Sequence, residues 1–387
     1  MKRVPRIFIA FDTSRGWGRE FLRGIATFAE RHGPWDCDFT LVGPLSMGDV
    51  RRINTADGLI AHVNTPAATA ILKRVKIPVV SLELGSTTRL PNVYSDPVAI
   101  GKMAADHFIE RGFRNFAFCA FHGTPVAVIR GQAFVRALES NGYSCDWIAL
   151  KPPRTRDFWR PEHLQLVSWI KKLPKPVAIF CIGDPRAREI ANACRDAGAH
   201  VPSHVGILGV DNDELLCRLC SPQLSSVDAG ATAVGYEAAR ILQRAINGHR
   251  PPPPVAIPPV RVVTRESSDF IAVDDPHVAD AIRYIREHTR EGVTVKQLMQ
   301  HLPVCRRKLE LGFRKLLGRT VHEEIVRARL HRATRLLVDG HLSLAHIARD
   351  CGLGHPSRLN NLLKIHTRMT PQQYRKAHQS FPSLAIK

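Results

Sequence analysis

Residues 177–213 read VAIFCIGDPRAREIANACRDAGAHVPSHVGILGVDND, and the fold of most of the chain follows from this stretch. Two short apolar runs, Val177–Ile182 and Val205–Val210, flank a helical pattern over Arg186–Ala197. Strand, helix, strand in this order predicts a parallel sheet with helices on its faces. The alternation continues outward. Strand-like runs stand at Arg6–Phe11, Gly58–Val63, Pro78–Leu84 and Asn115–Phe121. Helical patterns stand at Gly18–Arg31, Pro66–Val75, Pro97–Arg111, Val126–Ser140 and Pro161–Lys172. Pro66, Pro97, Pro161 and Pro185 lie at or near helix starts, where a missing N–H costs nothing. A second strand–helix series restarts at Asn115, which predicts two doubly wound α/β lobes.

Open α/β sheets bind ligands beyond the carboxyl ends of their strands. Asp12, Asp184 and Asp211 each follow a strand, and as convergent carboxylates they would accept hydrogen bonds from vicinal hydroxyls. Each would also serve as a cap or loop residue. Arg130 would add a fork of donors to oxygens of the same ligand. Trp17 would stack on an apolar ring face.

The chain has 387 residues and a formal charge of +20. That length suits two or three domains. Residues 276–387 hold 21 Lys+Arg against 8 Asp+Glu, or +13, whereas the first 275 residues carry +7. Concentrated positive charge points to a polyanionic partner. No apolar stretch approaches the roughly 18 residues of a membrane helix. The apolar N-terminal run stops at Asp12, too early for a secretory leader. Nine scattered cysteines fit reduced thiols in a cytoplasmic protein. No GxSxG, HExxH, P-loop or GxGxxG occurs, so an enzyme reading has no anchor. Cys217 and Cys220 form a lone CRLC without the second ligand pair that zinc would need. Glycosidase chemistry at the three aspartates is the enzymatic alternative, and binding is the better account. Neither metal nor cofactor is expected.

Pro251–Pro254 and Pro258–Pro259 exclude regular helix or central strand; Val260–Thr264 reads as a last strand. The sensor-like part thus spans 1–265, a polar connector 266–275, and a helical domain 276–387. Asp275 should cap the first helix there, with Pro276 at its first position. Two stretches, about 294–317 and 343–366, repeat the plan of short helix, tight turn, longer helix. This is the helix-turn-helix arrangement that sets a second helix in a DNA major groove. Helical spacing turns Leu309, Phe313 and Leu316 inward in the first unit, with Arg307, Glu310, Leu311 and Arg314 outward. In the second, Leu359, Leu362 and Leu363 face in, while Arg358, Asn361 and Ile365 face out. The long helix between them carries one apolar stripe, Ile325, Leu330, Ala333, Leu336 and Leu337.

The arginine before GQAFVRAL, with GDPRAREIANACRDAG, VGILGVDND and LSSVDAGATAVGYEAARIL, resembles the LacI-type periplasmic-binding-protein fold over about residues 5–265. That resemblance implies sugar contacts for Arg130, Asp184 and Asp211. LELGFRKLLGRTVHEEIVRARLHRATRLL and SLAHIARDCGLGHPSRLNNLLKIHTRMTPQQYR resemble the AraC/XylS family of transcriptional activators. By that resemblance Arg307, Glu310, Leu311, Ser357, Arg358 and Asn361 are base-facing. Arg306, Lys308, Arg314 and Lys364 would hold phosphates. Arginine suits guanine, asparagine adenine, and glutamate the cytosine amine. Leu359 and Leu363 stand where the family usually has phenylalanine, and Arg368 where it usually has glycine. The two modules in this order, joined through VRVVTRESSDF, resemble regulators of sugar catabolic operons. The implied function is a cytoplasmic activator acting on a duplex operator, responsive to a pentose, D-xylose first. RNA polymerase and a second copy of the chain are the implied partners.

Overall fold

The computed structural model describes residues 3–39, 48–62, 66–82, 84, 90–123, 125–150, 159–272, 275–339 and 342–378. Two compact units form, one of residues 1–109 and 114–270, the other of residues 110–113 and 271–387.

The larger unit begins with β1 (Arg6–Ala10), α1 (Gly16–His32), β2 (Asp36–Phe39), α2 (Asp49–Ile53), β3 (Gly58–Ala61), α3 (Pro66–Leu72), β4 (Val79–Ser81) and β5 (Val93–Ser95). It continues through α4 (Pro97–Ile109), β6 (Asn115–Phe121), α5 (Pro125–Glu139), β7 (Cys145–Leu150), α6 (Trp159–Lys172), β8 (Val177–Cys181), α7 (Asp184–Asp196) and β9 (Val205–Val210). It ends with α8 (Glu214–Leu219), β10 (Ser225–Asp228), α9 (Ala231–Ile246), β11 (Val255–Ile257) and β12 (Arg261–Val263). One lobe is a parallel sheet in the order β2-β1-β3-β4; the other runs β12-β10-β9-β8-β6-β7, with only β12 antiparallel. Strands β3, β8 and β9 are buried throughout, as parallel strands covered on both faces must be.

The chain crosses between lobes more often than the sequence pattern suggests. The second lobe begins at α4 rather than at Asn115, since α4 packs on α5 and β12. The chain then returns: Ala231, Val234, Ala238 and Leu242 of α9 share a core with Ile7, Ile9 and Ile60 of the first lobe, and β11 pairs with β5. Pro258 and Pro259 lie between β11 and β12, at the last crossing.

Most predicted strands stop a residue or more early, and Val63 and Glu83 lie outside the described residues. Edge strands β2 and β7 escaped the sequence pattern because no residue of either is fully buried, so neither has a clean apolar alternation; β5 and β11 are only three residues long. The connector is less free than its composition suggests. Glu266–Ser268 forms a 3-10 turn whose Ser267 and Ser268 are buried.

The smaller unit is helical: α10 (Pro276–Glu287), α11 (Val295–His301), α12 (Arg306–Leu317), α13 (Val321–Asp339), α14 (Leu344–Asp350), α15 (Pro356–Thr367) and α16 (Pro371–His378). Asp275 caps α10, accepting from the His277 and Val278 N–H groups. Thr294 and Gln297 make a capping box on α11. Helices α12 and α15 repeat at an offset of 50 residues (306 to 356, 317 to 367), and the repeat extends beyond them. Leu309 and Leu359 are both buried, as are Phe313 and Leu363, so leucine fills the place of the family's phenylalanine without exposing the core. Thr320 with Glu323 opens α13, and Thr370 with Gln373 opens α16, by the same reciprocal side-chain to backbone bonds. Ile325 of α13 belongs to the core of the first helix-turn-helix, and Ala333 and Leu337 to that of the second. One helix therefore serves as the wall of both. No helix among the described residues is long and apolar enough to cross a membrane.

Gly318 ends α12 with φ 67° and ψ 14°, and its N–H bonds to the Arg314 carbonyl. Arg368 ends α15 in the same way at φ 58° and ψ 15°, bonding to Lys364. A side chain is disfavoured in that left-handed conformation. Arg368→Gly is expected to stabilise the helical unit by about 0.5–1 kcal/mol, because relief of the Cβ clash outweighs glycine's added chain entropy. Urea unfolding followed by circular dichroism checks this, with Gly318→Ala as the destabilising counterpart.

Candidate functional site

A cavity of about 360 Å3 lies between the two lobes of the larger unit, within the range of small-molecule sites. Arg15, Trp17, His62 and Tyr94 line it from the first lobe; Phe121, Arg130, Asp184 and Asp211 line it from the second. Trp17 is half-buried between Phe21 and His62, with ring centroids 5.4 and 5.0 Å away. Opposite it, Phe121 lies under the guanidinium of Arg186 at 3.9 Å. That arginine is 0% exposed and pairs with Glu162 at 2.7 Å and Glu189 at 2.6 Å. A desolvated cation on a ring face contributes about 2 kcal/mol, so this buried trio fixes the orientation of Phe121. The cavity wall thus includes aromatic residues of both lobes together with charged and polar groups.

The three strand-end aspartates have three different fates. Asp12 is exposed and absent from the cavity wall. Its carboxylate accepts from the Ser14 N–H at 3.0 Å, the Ser14 hydroxyl at 2.5 Å and Arg15 Nε at 3.3 Å. Partial burial pulls its pKa upward, but those donors outweigh burial and hold it below the ordinary value. A local turn saturates it, which removes it from the expected ligand set.

Asp184 opens α7 and has no exposed surface. Its Oδ1 accepts from the Ser226 hydroxyl at 2.5 Å and its Oδ2 from the Asp213 N–H at 2.7 Å. Burial, then the charge of Asp211, raises its pKa well above the usual carboxylate value. It organises the loop 210–213 from behind. Asp211 also lines the cavity. Burial raises its pKa, while Arg130 and then Arg15 oppose the shift. Arg130 is itself buried and donates Nη1 to the Ile182 carbonyl.

Asp213, which the sequence reading passed over, joins the lobes. It caps α8 through Leu216, and its Oδ2 accepts from the Gly16 N–H at 3.0 Å on α1. Arg19 of the same helix reaches its Oδ1 at 3.3 Å. A Cβ on Gly16 would come within 2.6 Å of the Asp213 side chain, so glycine permits this approach. The strand-end rule, applied only to carboxylates, also missed Phe121 and His62, which follow or end strands β6 and β3. Nothing in the sequence marks Tyr94, because its strand has three residues.

In the smaller unit, Arg306, Arg307, Lys308, Arg314 and Lys315 are exposed on α12, and Ser357, Arg358, Asn361 and Lys364 on α15. Leu311 is 60% and Ile365 75% exposed, apolar groups amid cations. Glu310 is half-buried instead, with its carboxylate accepting from the Val321 N–H at 3.3 Å. It is turned to the start of α13, which sets it apart from the other proposed base readers. Ser357 is engaged with the His355 ring at 2.9 Å. Part of the positive charge counted in sequence holds the domain together. Arg319 pairs with Glu324 at 2.5 Å, Arg329 donates to the Val293 carbonyl, Arg332 to that of Asp350 and Arg375 to that of Leu342.

Comparison with known proteins agrees with this two-part construction. Residues 105–268 match the periplasmic binding protein-like domain and residues 298–377 a helix-turn-helix domain. The xylose operon regulatory protein of Haemophilus influenzae is 29% identical over 383 residues, covering 96% of this chain and 98% of its own. That of Escherichia coli is 29% identical, covering 96% of each. Among solved structures, that of the xylose-binding transcription activator xylR superposes with a TM-score of 0.62 at 28% identity, covering 98% of this chain and 99% of the other.

Asp211→Asn is expected to raise the melting temperature at neutral pH, since it removes a buried charge and asparagine tolerates the positive φ of 97° better than most residues. The sign follows from linkage. A folded-state pKa above the unfolded value costs stability once pH exceeds the folded value, and the cost disappears below the unfolded one. The gain should therefore shrink as pH falls towards the ordinary carboxylate value of 3.8. Thermal melts between neutral and acidic pH check this; a gain independent of pH would refute it.

Proposed function

The chain belongs to the transcription regulators that join a periplasmic binding protein-like sensor to an AraC-type DNA-binding domain, and on that premise we propose that D-xylose is the effector held between its lobes. The observation carrying this reading is a cavity lined by an aromatic residue of each lobe, Trp17 and Phe121, together with Asp211 and Arg130. A pentose has weakly polar ring faces for such surfaces and hydroxyls for the carboxylate and guanidinium. Arg15, His62 and Tyr94 complete the wall on the first lobe, and Asp184 supports the opposite one. The names of the full-length relatives favour xylose among the pentoses.

The helical unit reads an operator through α12 and α15. Arg307 and Leu311 of the first, and Arg358 and Asn361 of the second, face bases; Arg306, Lys308, Arg314 and Lys364 hold phosphates. A shared wall of 19 residues, about 28 Å long at the helical rise, suits consecutive major-groove segments about 34 Å apart. Sugar binding favours the state in which the lobes are clasped, and its differential affinity for that state sets the size of the response. The chain acts in the cytoplasm as a homodimeric activator that contacts RNA polymerase; it performs no catalysis.

Calorimetry with D-xylose should give saturable heat, and Trp17→Ala should weaken binding about 5- to 30-fold, since loss of a stacked face costs about 1–2 kcal/mol. Heat from another pentose but none from D-xylose would overturn the effector assignment. On a duplex selected from a random pool, Arg307→Ala is expected to cost about 1–3 kcal/mol and relax preference at one base pair. An equal loss on random duplexes would reduce Arg307 to a phosphate contact.

A further inference from the structure

The loop that carries Asp211 holds two consecutive non-glycine residues at positive φ, Asp211 at 97° and Asn212 at 49°. Asp211 lies outside the ordinary left-handed well, so its conformation persists only because surrounding bonds over-determine it. Those bonds are identifiable. The Asp211 N–H donates to the Val227 carbonyl at 3.0 Å and the Asn212 N–H to Ser226 Oγ at 2.9 Å. Ser226 in turn donates to Asp184. The Asn212 side chain points away from the cavity wall, and its Oδ1 accepts from Arg265 Nη2 at 2.8 Å.

Arg265 follows the last sensor strand, β12, and directly precedes the connector 266–275 that leads to the helical unit. Its Nη1 donates to the Leu224 carbonyl at 2.8 Å, and its own backbone exchanges bonds with Ser225 Oγ at 2.8 and 2.9 Å. The buried Ser267 hydroxyl donates to the Ile207 carbonyl at 2.8 Å and accepts from the Ser225 N–H at 2.9 Å. Ser268 meets His107 Nε2 at 2.8 Å. Ten residues after Arg265, Asp275 caps the first helix of the DNA-binding domain. A strained loop at the cavity wall is therefore one side-chain hydrogen bond from the covalent exit of the sensor.

We propose that Asn212 and Arg265 are positioning residues that carry the effector signal out of the sensor: the backbone state of Asp211 sets the place of Asn212 Oδ1, and Arg265 transmits it to the segment entering the DNA-binding domain. This rests on the reading of the cavity as a sugar site. A ligand held by Asp211 stabilises the strained loop, and without it the loop relaxes and Arg265 Nη2 loses its acceptor while Nη1 keeps the Leu224 carbonyl. Coupling through this pair needs only that the loop have two states that both sites bias.

The test uses the full-length chain, D-xylose, and a duplex that the wild type selects from a random pool. Two variants, Arg265→Gln and Asn212→Gly, each remove one side of the bond; the second also relieves strain, so a folding defect in one does not hide the other. Wild-type duplex affinity should change about 5- to 150-fold on saturation with D-xylose, the usual range of allosteric coupling. In both variants the D-xylose dissociation constant should stay within about threefold, while the change in duplex affinity falls to about twofold or less. Retention of the wild-type response in both variants overturns the proposal. So does loss of D-xylose binding with an unchanged melting temperature, because the pair would then serve only the cavity. If the wild type itself gives no heat with D-xylose, the pentose reading fails and the exit is judged without sugar. There, a shift in the duplex affinity of Asn212→Gly by more than about threefold sustains it, and no shift overturns it.

Discussion

Asp184 carries a carboxyl group with no exposed surface, and the arrangement of the sensor depends on where its two oxygens point. One accepts from the hydroxyl of Ser226 on β10, the other from the backbone N–H of Asp213. Between those anchors the loop 210–213 has little freedom, and three neighbouring side chains receive separate tasks. Asp211 reaches the cavity wall, Asn212 faces the segment leaving the sensor, and Asp213 crosses to the N-terminus of α1. A polar group buried this deeply is tolerable only with its acceptors satisfied. Alanine at 184 would therefore disturb the loop itself, not merely remove a ligand contact.

The same economy marks the DNA-binding domain. Two helix-turn-helix units share α13, and arginines on or beside that helix bond to carbonyls of both units. Charge in this domain divides into cations that face outward from α12 and α15 and cations that stitch the helices together. The exposed sets of the two helices differ at matching positions. Where the first has Arg307, Leu311 and Lys315, the second has Ser357, Asn361 and Ile365. An operator bound by such a pair would be two adjacent but unlike sub-sites, with the electrostatic share falling mostly on the first.

Much of this was legible along the chain. The βαβ alternation fixed parallel sheets, because a strand covered on both faces must be apolar and its crossover must be amphipathic. The helix-turn-helix units were legible from buried leucines at helical spacing and from capping residues. Arg368 was legible as an anomaly, and the structure resolves it as a left-handed cap on a non-glycine residue. Less was legible where elements are short or polar. Strands β2, β5, β7 and β11 draw on partners far away in sequence, and no local pattern reports them.

The sequence by itself determined the two modules, their order and the outward basic face of each recognition helix, all of which depend on neighbours within a few turns of chain. It also named three residues that line the cavity, Asp211 from its place at a strand end and Arg130 and Trp17, on helices, from the chemistry of their side chains. Only the tertiary structure decided which acidic side chain does what. Asp12, Asp184 and Asp213 are alike in composition and in their position after strands. A hydroxyl and an N–H two residues away saturate the first, distant backbone claims the second, and the other lobe claims the third. Donors brought together by folding, some nearly 200 residues apart, set those roles. A periodicity of two or of 3.6 residues carries no record of them.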